Sequence, residues 1–122
     1  MALAEQEFKT ALKINPSSIE AQYNLGVAYF KQSKLDLAEQ EFKKIIEANP
    51  NSVNAHTGLG TVYLEQGKLR LAEREFKKAI KINPDHASAF NNLGIVYTKQ
   101  NKLKSAKRQF KKAKELKRKL DK

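Results

Sequence analysis

His56 and His86 are the two imidazoles of a chain that has no cysteine, so metal or nucleophilic chemistry has to start from them. Neither has suitable company. No HExxH spacing surrounds either one, and a zinc site needs three or four such ligands. His56 reads as a structural residue at a helix-packing position, and His86, beside Asp85, as a solvated loop residue. Carboxylates come in close pairs, Glu5/Glu7, Glu39/Glu41 and Glu73/Glu75, which could in principle share acid–base work. Their registers place them on outward faces, where solvation is the ordinary fate of an acid. No serine has a base partner in sequence. The glycines fall inside apolar-periodic segments, so they cannot form a phosphate-cradling loop. The expectation is a protein that is not an enzyme, with no cofactor, no metal and no small-molecule substrate.

Cations are the other chemical resource. The net charge is +11 over 122 residues, but it is unevenly spread. Residues 102–122 hold eleven Lys/Arg against Glu115 and Asp121, and the remainder is close to neutral. Leu103, Ala106, Phe110, Ala113, Leu116 and Leu120 form one apolar stripe through this stretch, with lysines and arginines around it. One reading is a solubilising cap at the end of a stack, with cations opposing the helix dipole. The other is contact with nucleic acid, an acidic membrane or an acidic protein. Nucleic acid is disfavoured, because Phe110 belongs to the core stripe and leaves no aromatic for base stacking.

The elements that position these residues repeat. Gly26, Gly60 and Gly94 stand 34 residues apart, each preceded by leucine and followed three residues later by Tyr29, Tyr63 and Tyr97. LAEQEFK at 3–9 recurs unchanged at 37–43 and as LAEREFK at 71–77. Such a period marks stacked supersecondary units rather than one irregular globule. Apolar residues at steps of three and four predict helices throughout. Ala2 to Asn15 is the first, stopped by Pro16. Ser17 or Ser18, then Asn51 or Ser52, then Asp85 are the expected caps of helices ending near Gln32, Gln66 and Gln100. Ser33, Gly67 and Asn101 turn the chain into partner helices at Leu35 to Ala48, Lys68 to Ile82, and Lys102 onward. The result is seven helices: an orphan, then three hairpins. The orphan would be the second helix of a unit whose first helix is missing. Gly26, Gly60 and Gly94 are expected to admit a close partner helix opposite Ala38, Ala72 and Ala106, with Phe42, Phe76 and Phe110 filling the space between hairpins.

These residues resemble the tetratricopeptide repeat, most clearly in YNLGVAYFKQSKLDLA at 23–38. The likeness divides one domain into a half unit at 1–16 and units at 17–52, 53–86 and 87–122. Gln22, His56 and Phe90 stand where the family often has tryptophan, and Arg118 stands where a closing proline would be. The resemblance implies an all-α, right-handed superhelical solenoid of antiparallel hairpins, with a concave groove lined by the first helix of each. By that likeness the groove holds Glu20, Tyr23, Asn24, Val27, Phe30 and Lys31, then Asn54, Thr57, Gly58, Thr61, Leu64 and Glu65, then Ser88, Asn91, Asn92, Ile95, Thr98 and Lys99. A carboxylate clamp of the kind some family members use looks absent, since Val27, Gly58, Ser88 and Asn92 occupy the matching places.

Apolar side chains beside amides suit a peptide, held through its main chain and ranked by its side chains. The expected function is therefore a protein-interaction scaffold that takes a protein or peptide ligand or a partner helix. A different class is a self-assembly element that uses its unpaired terminal helices, with a homo-oligomer formed through the N-terminal half repeat, whose Leu3 and Phe8 lack a partner. RNA or acidic-membrane contact through 102–122 is the third. No run of about eighteen apolar residues could span a bilayer, and the amphipathic, acid-bearing start is unlike a signal peptide. Together with the lack of cysteine, this permits an intracellular location.

Overall fold

Serine hydroxyls begin two of the helices. Ser18 Oγ accepts from Ala21 N–H and Ser52 Oγ from Ala55 N–H, each at 3.2 Å, satisfying one donor that a helix start leaves open. The structure, a computed structural model, describes residues 2–120; Met1, Asp121 and Lys122 lie outside them. Seven helices run in order: α1 (Ala2–Ile14), α2 (Ile19–Lys31), α3 (Leu35–Ala48), α4 (Val53–Glu65), α5 (Leu69–Ile82), α6 (Ala87–Lys99) and α7 (Leu103–Leu120). No strand occurs among the described residues. The third cap departs from expectation. His86, not Asp85, holds the cap position of α6 and makes no side-chain bond there. Asp85 instead donates its N–H to Asn83 Oδ1 at 3.0 Å.

That last bond is part of a repeated stop. Asn15 and Asn49 accept from Ser17 and Asn51 N–H in the same way. Asn49 and Asn83 have φ of −143° and −133°, the extended form that a following proline enforces. The hairpin turns each use one left-handed residue: Ser33 and Asn101 at φ 61° and Gly67 at φ 76°. Each turn is closed by the next residue donating back into the helix, as Lys34 to Tyr29, Lys68 to Tyr63 and Lys102 to Tyr97. Ser33 adopts this conformation although its Cβ makes it costlier than for glycine.

Helices α2, α4 and α6 pack on α3, α5 and α7 as antiparallel hairpins, and each hairpin leans on the helix before it. The first helices also touch one another, α2 on α4 and α4 on α6. Among the described residues the second helices do not. The stack is therefore tighter on the side of the first helices, which become its concave face.

The core corrects the expected role of the glycines. They face phenyl rings, not alanines. A Cβ on Gly60 would lie 2.7 Å from Phe76 Cε1, one on Gly26 2.9 Å from Phe42 Cε1, and one on Gly94 2.7 Å from Phe110 Cε1. A Cβ on Gly58 would likewise lie 2.8 Å from Phe42 Cε1. Phe42 and Phe76 are buried, but Phe110 is 37% exposed, because among the described residues no hairpin covers α7. Leu103 and Leu120, expected in the same stripe, are also open, whereas Ala106, Ala113 and Leu116 are buried.

The carboxylates are likewise not free on outward faces. Glu41 and Glu75 are buried. Glu5, Glu39 and Glu73 are half-buried, each paired with the lysine four residues on: Lys9 at 3.5 Å, Lys43 at 2.6 Å and Lys77 at 2.7 Å. Glu5 also takes Gln32 and Lys34 from the next hairpin, and Glu73 accepts from Tyr97 Oη at 3.3 Å. Glu7 alone of the six is exposed. The face between hairpins is wide enough to include these positions, and it supplies them with donors from the following turn.

Candidate functional site

On α2, Tyr23, Val27 and Phe30 fall at steps of four and three, so they share one face. Thr57 and Thr61 on α4 and Ser88 and Asn92 on α6 fall at steps of four. Where α2, α4 and α6 meet on the concave side, these seven residues line a cavity of about 190 Å³, with Gly58 and Phe42 at its base. Gly58 matters because it is in helical register with the asparagines at 24 and 92. Its missing side chain opens the space and lets the Phe42 ring show through. Tyr23 and Phe42 meet at 5.7 Å between centroids and 54° between planes, a tilted aromatic pair.

The polar groups are arranged by the helices themselves. Thr57 Oγ1 donates to Val53 O and Thr61 Oγ1 to Thr57 O, both at 2.8 Å. The hydroxyl protons are thus spent within α4, leaving oxygen lone pairs as acceptors and methyl groups as apolar surface. Asn92 makes no side-chain hydrogen bond among the described residues, so its amide keeps both donor and acceptor for a ligand. No charged side chain lines the cavity. It can seat an uncharged or apolar side chain and engage a passing main chain.

Of the residues expected in the groove, Tyr23, Val27, Phe30, Thr57, Thr61 and Asn92 are brought together here, with Gly58 and Ser88. Asn24, Lys31, Leu64, Glu65, Asn91, Ile95 and Lys99 do not line this cavity. Leu64 is half-buried against the core. Asn24 and Ile95 are half-buried, and Asn91, Lys31, Glu65 and Lys99 are exposed. The last three end their helices in lysine–glutamate–lysine order, without an ion pair within 4 Å. Phe42 was not anticipated as a lining residue. The signal for it was present in the glycine at 58, which departs from asparagine at 24 and 92.

The chemistry-bearing residues lie elsewhere. His56 Nδ1 is 2.8 Å from Glu75 Oε1, and Nε2 is 2.7 Å from Pro50 O. A carbonyl only accepts, so Nε2 donates to Pro50 O, and Nδ1 faces Glu75 Oε1. Both side chains are almost fully buried, which makes this a satisfied structural pair. His86 is half-buried at the start of α6, and burial pushes its imidazole below its ordinary value. Among the described residues no three of His, Asp and Glu gather as metal ligands. No helix of the structure is long and apolar enough to cross a membrane.

The family model described as tetratricopeptide repeat matches residues 17–85 and 52–119. No curated protein matches the chain in sequence. Among solved structures, "Crystal structure of MamA" is 28% identical, with a TM-score of 0.84 over 96% of this chain and 68% of that one. "MamA 41-end from Desulfovibrio magneticus RS-1" is 25% identical, with a TM-score of 0.84 over 97% of this chain and 67% of that one. "Crystal structure of MamA protein" is 29% identical, with a TM-score of 0.80 over 94% and 63%. The chain spans about two thirds of the length of these structures.

Proposed function

Because the chain belongs to the tetratricopeptide repeat family, we propose that it is a protein-interaction scaffold whose α2–α4–α6 face binds an extended peptide or a partner helix. The observation that carries this reading is the uncharged cavity of Tyr23, Val27, Phe30, Thr57, Thr61, Ser88 and Asn92, built from three consecutive first helices. An apolar anchor of the ligand enters it over Phe42. The Asn92 amide and the threonine oxygens take the ligand's main-chain groups. Asn24, Leu64, Asn91 and Ile95 extend the contact along the groove, and Lys31, Glu65 and Lys99 border it and select for charge.

Peptides selected from a displayed random library on the wild-type protein test this. Their affinity is expected to fall at least tenfold in Thr61→Arg and in Asn24→Ala/Asn92→Ala. It should stay within twofold when Lys104, Lys107, Lys111 and Lys114 are changed to glutamine. Loss of binding only in the α7 variant would overturn the groove reading in favour of the basic helix.

A second reading, self-association, has its own observation. Leu3 and Ile14 on α1 are 79% and 81% exposed and lie on one side of that helix. Phe8 is half-buried against the core and so less available than its pattern implied. Two exposed aliphatic side chains with Glu7 and Thr10 between them make a weaker surface than the groove.

A further inference from the structure

The junctions between hairpins repeat along the chain, so each is an internal control for the others. One of them is different. Between α3, α4 and α5 a cleft of about 670 Å³ opens, with Ile46, Pro50 and Ile82 as apolar lining, His56 at one wall, and Lys78 and Lys81 at the other. One repeat earlier the last four of these positions are Gln22, Lys44, Glu47 and Ala48, with His56 answered by Gln22 and Ile82 by Ala48. One repeat later they are Phe90, Lys112, Glu115 and Leu116, and Asp85 stands where the middle junction has Asn51. Each outer junction therefore sets a lysine beside a glutamate three residues on. The middle one sets two lysines over an apolar surface, with no carboxylate on its rim. Lys78 Nζ lies 3.6 Å from the buried Glu75 Oε2, which also receives Arg74 Nε at 3.5 Å. Lys81 has no carboxylate within 4 Å among the described residues.

His56 lines the cleft as a fixed wall. It is locked between Glu75 and the Pro50 carbonyl, so it cannot swing out to fill the space.

We infer that this cleft is a second binding site, separate from the concave groove, for an acidic peptide segment that seats one aliphatic or aromatic side chain on Ile46, Pro50 and Ile82 and places a neighbouring carboxylate on Lys81. Charge and shape both select the occupant. A neutral apolar segment would leave Lys81 unanswered. An acidic–apolar pair of residues satisfies both walls at once.

The test is a titration of ¹⁵N-labelled protein with a blocked tetrapeptide that alternates glutamate with phenylalanine and leucine. Amide shifts are expected at residues 46–51, 56 and 78–82. Lys81→Glu gives this junction the residue that both neighbouring junctions carry, and it lies on an exposed position where folding is not at risk. It should weaken binding at least tenfold. Lys117→Glu, which makes the same charge change on α7, should weaken it less than twofold. The inference is overturned by any of four results: no saturable shifts at millimolar peptide, shifts confined to the concave residues, equal losses from the two lysine variants, or shifts at 46–51 and 78–82 produced by anionic phospholipid vesicles but not by the peptide. The groove variants Thr61→Arg and Asn92→Ala should leave this titration unchanged, so the two sites can fail separately.

Discussion

One added methyl group meets a phenyl ring of the same register at Gly60 and at Gly94, with different consequences expected. At Gly60 the new Cβ would stand 2.7 Å from a Phe76 ring that is fully buried. The ring has nowhere to go, and overpacking of this kind costs roughly 1–3 kcal/mol. Alanine's better helix propensity returns only about 1 kcal/mol. At Gly94 the contact is equally short, but Phe110 is 37% exposed and its outer side is free to move. Gly60→Ala is therefore expected to lower stability by up to about 2 kcal/mol. Gly94→Ala should stay within about 1 kcal/mol of wild type. Urea unfolding followed by helical circular dichroism compares them. Equal losses in both variants would mean that ring confinement does not set the cost. The repeated Leu-Gly spacing made the importance of these glycines legible. Which atoms they face was not, because a period locates a position along a helix and not its neighbour across the interface.

At the scale of the helix, the second-helix acids hold successive hairpins together at their turns. Lys43, through its bond to Glu39, holds that carboxyl below the usual carboxylate range, while partial burial opposes the effect. Glu39 in turn holds Lys43 above the usual ammonium range. For Glu73, burial pushes upward, but Lys77, Tyr97 and Lys102 outweigh it and the carboxyl again ends low. A depressed acid adds stability that is complete above its unfolded value and disappears as pH falls through its folded value. A raised lysine adds stability that is complete below its unfolded value and disappears as pH rises through its folded value. The urea midpoint is thus expected to decline from neutrality toward about pH 3, and Glu39→Gln should flatten that limb. An unchanged slope in the variant would remove Glu39 from the account. From the sequence these acids looked solvated, since their helix register lies outside the narrow apolar stripe. The stack's lateral contact is broader than that stripe and reaches them.

For the whole molecule, the first and last helices differ in the side chains they present along the stack. The register that holds Glu5, Glu39 and Glu73 holds Lys107 in α7. A turn lysine set against Lys107, as Lys102 is set near Glu73, would meet like charge. At α1 no such device is present, and Leu3 and Ile14 stay open. Any self-association should therefore involve α1 and spare α7. Sedimentation velocity over a hundredfold range of concentration should show an increase in mass that Leu3→Glu/Ile14→Glu abolishes and Lys107→Glu does not. A sole monomer at every concentration would eliminate the second reading.

The order of helices, their stops and their pairing were decided by the sequence, because caps, Asn-Pro stops and left-handed turns act within a few residues of themselves. The apolar period likewise chose the hairpin as the unit. Which side chains share a space was decided only by the stack. The groove cavity joins residues of α2, α4 and α6, and the cleft joins the ends of α3, α4 and α5, so both depend on how successive hairpins settle on one another. Eight of the eighteen expected groove residues converge on the cavity; curvature and the opening left by Gly58 select them. His56 and Glu75 show the same division. Their types were visible along the chain, but their burial as a pair exists only because α4 is pressed onto α5 beside the Pro50 carbonyl.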